Sequence, residues 1–429
     1  MTFILHFVII LKSSILKNIL KKLLKMLSNS LFFLIMLVSS SLSLSFAFSV
    51  INDECIETDL QAYRHSFLLS SDPSFFPIYS NYVFDPTLSF LTAPLENVTI
   101  LIHGLSRDAD RYFCQGMNAS ENQIIIVPYF PNRSLSLSEW NGKSDPDIST
   151  SPYWTESDWS EGGLDVQYGL SSFEILDELI EFLKGKNVKG KIVVAGFSAG
   201  GQFVQRYAWA SDEGNDGSVR FFVSDPSSFL YFTKERPGED CRELKSVAIE
   251  DCQSFETPNL NFETSLGLDA SDCKKFNDYK YGLDKIDENN EYLLDAYKKA
   301  TLITYSKKEI LYVFGGDDVC NCVTKNYVND PKVCYPLSPD QCLDTYPNGV
   351  NNAMETECRA MLEGSNRLQR GLNYMAYLKF LCGKNFVVNY AVVSGMGHDS
   401  SKYFGSDFFK KYGFSRGEII SGICTLALD

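Results

Sequence analysis

The chain has 429 residues, of which 45% are hydrophobic, 22% charged and 14% aromatic, with a formal net charge of −15 at pH 7. That composition excludes a disordered or low-complexity protein and leaves a globular one with a large core. The first 47 residues hold five lysines and no acid, so the remainder sets 34 bases against 54 acids, a net charge of −20. Such a body repels phosphate backbones and anionic membranes, and no nucleic-acid partner is expected.

At the N-terminus, Lys12, Lys17, Lys21, Lys22 and Lys25 precede the apolar run Leu31 to Val38, and Ser45-Phe46-Ala47 offers a cleavage site. These features predict a signal peptide over residues 1–47, with Met26 a second candidate start. An uncleaved anchor is the alternative, but the apolar run is shorter than the ~18 residues a bilayer span needs, so no stable span is expected after cleavage. Asn-X-Ser/Thr acceptors stand at Asn97, Asn118 and Asn132, and all 12 cysteines follow the leader. Both fit a secreted protein or one in the endomembrane lumen, with disulfides and glycans; the spacing leaves the pairing open.

From residue 98 the pattern alternates short Val/Ile runs with amphipathic stretches, which predicts βαβ units around a mostly parallel sheet. VTILIHG (98–104) and IIIVPYF (124–130) read as strands. The loop after them carries Trp140, Trp154 and Trp159, which either line a cleft or pack locally. SSFEILDELIEFLKG (171–185) reads as a helix: Ser171 and Glu174 form a capping box, and Leu176, Leu179, Ile180 and Leu183 recur at helical spacing. KIVVAG, VRFFVSDP (219–226), EILYVFGG (309–316) and NFVVNYAVVSG (385–395) are further strands. Helices are expected near 366–381 and 402–411. Residues 48–429 are read as one domain, with a cap-like insertion at about 227–305 and a cysteine-bearing one at 317–358.

Gly196-Phe197-Ser198-Ala199-Gly200 joins a strand directly to a helix. A serine on such a turn projects its hydroxyl from the sheet, and the flanking glycines let the backbones approach. The N–H of Ala199 then points at any oxyanion formed there. A serine hydroxyl needs a base, and only His65, His103 and His398 follow the leader. His398, in SGMGHDS beyond the last strand, is the expected base. The turn after His103-Gly104 is expected to supply the second oxyanion donor, the N–H of Leu105, with the imidazole of His103 structural. His65 reads as a polar surface residue.

These pieces resemble the α/β-hydrolase fold superfamily over roughly residues 95–410, through ILIHGL, IVVAGFSAGG, LYVFGGDD and SGMGHD. DPSSFLYF (225–232) and EGSNRLQRGLNY (363–374) are similar to a group of secreted, mostly uncharacterised hydrolases within it. The resemblance implies a catalytic acid after LYVFGG. Asp318 is favoured over Asp317, because in similar proteins the acid follows the strand-end glycine by three positions; Asp225 is a distant alternative. It also implies a serine esterase acting on a small-molecule or polymer ester through Ser198, His398 and Asp318, with no cofactor and no metal. A peptidase or amidase using the same residues, or a silent binding protein on the scaffold, are the alternatives. Cys320, Cys322, Cys334 and Cys342 have some zinc-site spacing, but secretion favours disulfides.

Overall fold

A computed structural model describes residues 55, 60–70, 74–82, 95, 97–119, 123–141, 150–186, 188–238, 241, 252, 254–258, 270–319, 321–323, 333–335, 354–355, 357–383 and 386–413. The leader lies outside them, as do Cys320, Cys342 and the side chains of Cys322 and Cys334, with the zinc reading they carried. Among the described residues no helix is long and apolar enough to cross a membrane.

The elements that matter for function are β1 (Arg64–Leu68), β2 (Phe75–Ser80), β3 (Val98–Ile102), α1 (Ala109–Ala119), β4 (Ile124–Pro128), α2 (Ser172–Gly185), β5 (Ile192–Phe197), α3 (Ala199–Ala210), β6 (Val219–Ser224), β7 (Glu309–Gly315), α4 (Arg367–Cys382), β8 (Tyr390–Val393) and α5 (Ser400–Gly405). The eight strands form one sheet in the order β1-β2-β4-β3-β5-β6-β7-β8. Pairing is parallel from β4 to β8 and antiparallel at β1 and β2.

Strands β3 to β6 are buried throughout because helices cover both faces. Along β3, Ile100 and Ile102 face a cluster that includes Leu176, Phe203 and Tyr374. Leu101 between them faces Phe113, Phe404 and Phe409 on the other side. This two-sided burial is why β4 and β5 read as continuous apolar runs. Helix α2 starts where expected: the Ser171 hydroxyl accepts from the Phe173 N–H.

Strands β1 and β2 were not anticipated from the sequence. Pro77 sits in the middle of β2, opposite Ser66, and a proline argues against a strand because it donates no ladder hydrogen bond. Its carbonyl still accepts from Tyr129 N–H at 3.0 Å. His65 lies in β1, half-buried, with Nε2 3.1 Å from the Ser80 carbonyl, rather than on a plain polar surface. The last strand is shorter than expected and ends at Val393, and the terminal helix divides into α5 and a second helix, Asp407–Gly413.

Disulfides join Cys55 to Cys114, Cys241 to Cys252 and Cys273 to Cys358, and Cys382 is also disulfide-bonded. The Cys273–Cys358 bridge ties the 227–305 excursion to the end of the 317–358 excursion. Phe229, Leu230 and Tyr231, at the start of the first excursion, are fully buried, and Phe229 stacks on Tyr374 of α4 at 4.4 Å.

Candidate active site

The candidate residues meet at the C-terminal ends of the parallel strands. Ser198 occupies the single position between β5 and α3, with φ 60° and ψ −120°. That conformation costs a non-glycine residue about 1–3 kcal/mol, and the surroundings must hold it. Ser198 N–H donates to the Ser224 carbonyl at 3.0 Å, and its own carbonyl accepts from Gln202 N–H at 3.0 Å. Added Cβ atoms would stand 2.1 Å from the Gly200 carbonyl oxygen at Gly196 and 2.4 Å from the Ser224 oxygen at Gly201. Gly201 extends the glycine requirement one residue beyond the pentapeptide. A strained serine between a central parallel strand and a helix, in a sheet of this order, decides the architecture. The chain has the α/β-hydrolase fold.

On this fold His398 and Asp318 arrive on adjoining loops. Gly316 N–H donates to Val393 O at 2.8 Å and Asp317 N–H to Met396 O at 2.9 Å, so the turn after β7 and the loop after β8 are joined through their backbones. Gly395 takes φ 73°, which turns the loop back over the sheet. His398 Nδ1–H donates to Asp318 Oδ2 at 2.7 Å. Its Nε2 is left as an acceptor, and Ser198 Oγ lies 3.0 Å from it. The Phe197 ring packs on the imidazole with centroids 4.5 Å apart. Ser198 itself is half-buried and reachable from solvent.

The structure thus brings Ser198, His398 and Asp318 into one line of hydrogen bonds. Asp317 stands outside that line of bonds, and its backbone N–H donates to the Met396 carbonyl. Asp225 is close by, fully buried, with both carboxylate oxygens on the Gly315 N–H at 3.0 and 3.2 Å. It too has a left-handed backbone, with φ 41°.

Charge is finely divided here. Burial alone would raise the Asp318 carboxyl, but His398 and Arg367 outweigh it and hold the group below its ordinary value. Burial, aided by the neighbouring Asp318, pushes Asp225 well above the usual carboxylate range. Burial, with Arg367, lowers His398 despite the opposing pull of Asp318. At neutral pH the imidazole is therefore the free base. Arg367, which sequence reasoning did not single out, lies 3.6 Å from Asp318 Oδ1. Its sequence signals were its place in the stretch EGSNRLQRGLNY (363–374) and near the start of the helix expected at 366–381.

His103 is structural, as its partners show. Phe130 N–H donates to Nε2 at 3.2 Å, so Nδ1 carries the proton and donates to the Gly104 carbonyl at 2.9 Å. Burial lowers its pKa to about 3. The turn it braces is closed by Arg107 N–H on Gly104 O at 3.1 Å and carries the exposed Leu105. An added Cβ at Gly200 would stand 2.1 Å from Ile102 O and 2.8 Å from His103 O, so the start of α3, with Ala199, abuts the end of β3.

The tryptophans pack rather than line a cleft. Trp154 and Trp159 are 0% exposed and Trp140 is 4% exposed. Trp159 lies 4.5 Å from the His103 ring and stacks on Phe130 at 5.1 Å. Asn118 and Asn132 are exposed and Asn97 is half-buried.

No protein-family model matches the sequence. No curated protein matches it either. Among solved structures, the chain is similar to LpqC, a poly(3-hydroxybutyrate) depolymerase from Bordetella parapertussis, at 14% identity and TM-score 0.44, covering 82% of this chain and 91% of that one. It is also similar to poly(aspartic acid) hydrolase-1 from Sphingomonas sp. KT-1, at 15% identity and TM-score 0.45, covering 81% and 97%. A third is the S-formylglutathione hydrolase FrmB from Staphylococcus aureus, at 12% identity and TM-score 0.33, covering 81% and 95%.

Proposed function

We propose that this protein is a secreted serine hydrolase that cleaves a carboxylic ester through an acyl-enzyme. The observation that carries the reading is the unbroken path from Asp318 through the imidazole of His398 to the hydroxyl of a strained, reachable Ser198. A neutral imidazole held in one tautomer by a carboxylate is what a serine needs to become nucleophilic at neutral pH.

In this mechanism Ser198 Oγ attacks the ester carbonyl while His398 Nε2 takes its proton. The oxyanion is held by the backbone N–H groups of Leu105 and Ala199. The carbon–oxygen bond to the alcohol then breaks, and His398 returns the proton to the leaving oxygen. Asp318 keeps Nδ1 protonated and balances the transient imidazolium. Water, deprotonated by His398, then attacks the acyl-enzyme, and Ser198 is regenerated. Export is supported by the lysine-then-apolar leader and by the disulfides among cysteines that all follow it.

A fluorophosphonate probe, followed by hydrolysis of esters of graded acyl length, tests the reading. Wild-type protein should be labelled at Ser198, and Ser198→Ala should lose labelling and at least ~10³-fold of ester turnover while melting at the same temperature. Labelling that survives Ser198→Ala would overturn the assignment. A wild-type protein that takes no label would point to a silent binding protein, and turnover of amides in preference to esters would point to a peptidase.

A further inference from the structure

Asp318 is gripped at both its backbone and its side chain by one helix. Its carbonyl accepts from the Leu368 N–H at 3.2 Å, and Oδ1, the oxygen that His398 does not use, faces the Arg367 guanidinium at 3.6 Å. The two side chains are 3% and 1% exposed, so this ion pair is out of water. Arg367 is the first residue of α4, which Asn366 caps by accepting from Gln369 N–H. Its charge thus adds to the positive end of the helix dipole.

A second carboxyl shares the space. One oxygen each of Asp225 and Asp318 and one ring nitrogen of His398 all lie within 4.8 Å of one another. Two carboxyls buried this close do not both ionise. With Asp225 pushed toward its protonated form by burial and by Asp318, the charge of Asp318 is the one that Arg367 balances. Without Arg367 the same volume holds an uncompensated negative charge, which draws a proton onto the imidazole or onto Asp318.

We propose that Arg367 is a positioning residue for Ser198, His398 and Asp318: its guanidinium fixes Asp318 as an oriented carboxylate and, by repelling a second positive charge, keeps His398 able to accept a proton in mildly acidic surroundings. The groups facing His398 are Arg367 of α4, Phe197 at the end of β5, Ser198 after it, Asp318 and Asp225 from beyond strand ends, and Asp399 beside it in sequence. Tyr403 of α5 interacts with Asp225. Of these, only Arg367 and burial work against protonation of the imidazole.

The inference deepens the hydrolase reading, but it can be tested apart from it. Titration of His398 is followed by NMR in protein labelled at histidine, for wild type, Arg367→Gln and Arg367→Lys. In Arg367→Gln, His398 should titrate at higher pH than in wild type, whereas Arg367→Lys, which keeps the charge, should stay near wild type. Fluorophosphonate labelling of Arg367→Gln at pH 5.5, relative to its own high-pH plateau, should fall by roughly threefold or more against wild type. An unchanged His398 titration in folded Arg367→Gln would overturn the proposal. Altered titration in a protein that takes no probe would instead leave the proposal standing and remove the hydrolase reading. If Arg367→Gln does not fold, the double variant Arg367→Gln with Asp318→Asn decides. Recovered folding supports a charge partnership; continued failure assigns Arg367 to packing and overturns the proposal.

Discussion

The α-carbon of Gly200 rests against the carbonyl oxygen of Ile102, so near that a Cβ on residue 200 would stand 2.1 Å from it. Both atoms belong to backbone, so neither can swing aside. Gly200→Ala must push α3 away from β3, and with it the amide of Ala199 and the Ser198 turn. Destabilisation of about 1–3 kcal/mol is expected, together with loss of fluorophosphonate labelling. Gly185, where an added Cβ meets nothing within 4 Å, is the control: Gly185→Ala should leave both urea midpoint and labelling unchanged or slightly improved.

The adjacent aspartates should separate cleanly. Asp318 accepts from His398 Nδ1–H, whereas Asp317 contributes a backbone contact to Met396. An asparagine at 318 can present an N–H to the imidazole and favour the wrong tautomer. Asp318→Asn should therefore cost about 10⁴-fold in ester turnover, and Asp317→Asn less than about threefold. Equal losses at the two positions would remove Asp318 from its role.

His103 and Glu363 should leave opposite marks on the pH dependence of stability. The folded protein keeps His103 neutral down to about 3, against an ordinary value of 6.5. Between those limits the unfolded chain binds more protons, so this residue lowers stability as pH falls. Relative to wild type, His103→Gln should gain about 2 kcal/mol between pH 7 and pH 5 in urea melts. Glu363 is fully buried and raised to about 8 from an ordinary 4.5, so the folded state binds the extra proton and stability falls as pH rises between those values. Glu363→Gln should flatten that loss, as urea melts between pH 5 and pH 8 would show.

Glycan occupancy should follow exposure if the chain is exported. Asn132 and Asn118 are exposed, whereas Asn97 is half-buried and its carbonyl accepts from Ile124 N–H at 3.1 Å. Glycopeptide mass spectrometry is expected to find sugar at Asn132 and Asn118 and none at Asn97. Sugar-free peptides at all three positions in protein from a secretory host would count against export.

The sheet was legible where burial on both faces wrote unbroken apolar runs, as in Ile124–Pro128 and Ile192–Phe197. It was illegible where Pro77 interrupts a strand whose neighbours nevertheless pair around it. At the site, Ser198 and His398 announced themselves through glycines and strand ends, because tight turns restrict residue choice. Arg367 did not: an arginine at the head of a helix reads as an ordinary surface cation, and only the packing of α4 against the turn after β7 buries it beside Asp318. The tryptophans show the same limit, since a ring in the core and a ring in a cleft have one spelling.

Ser198 and His398 are 200 residues apart in sequence. A chain made from its N-terminus therefore presents the serine long before the imidazole exists, and β8 must add to the sheet edge before the loop carrying His398 has a place to land. Until then the hydroxyl has no partner to take its proton. If the proposed hydrolase reading holds, the nascent polypeptide passes through its maker chemically mute, and reactivity switches on with the docking of the last strand.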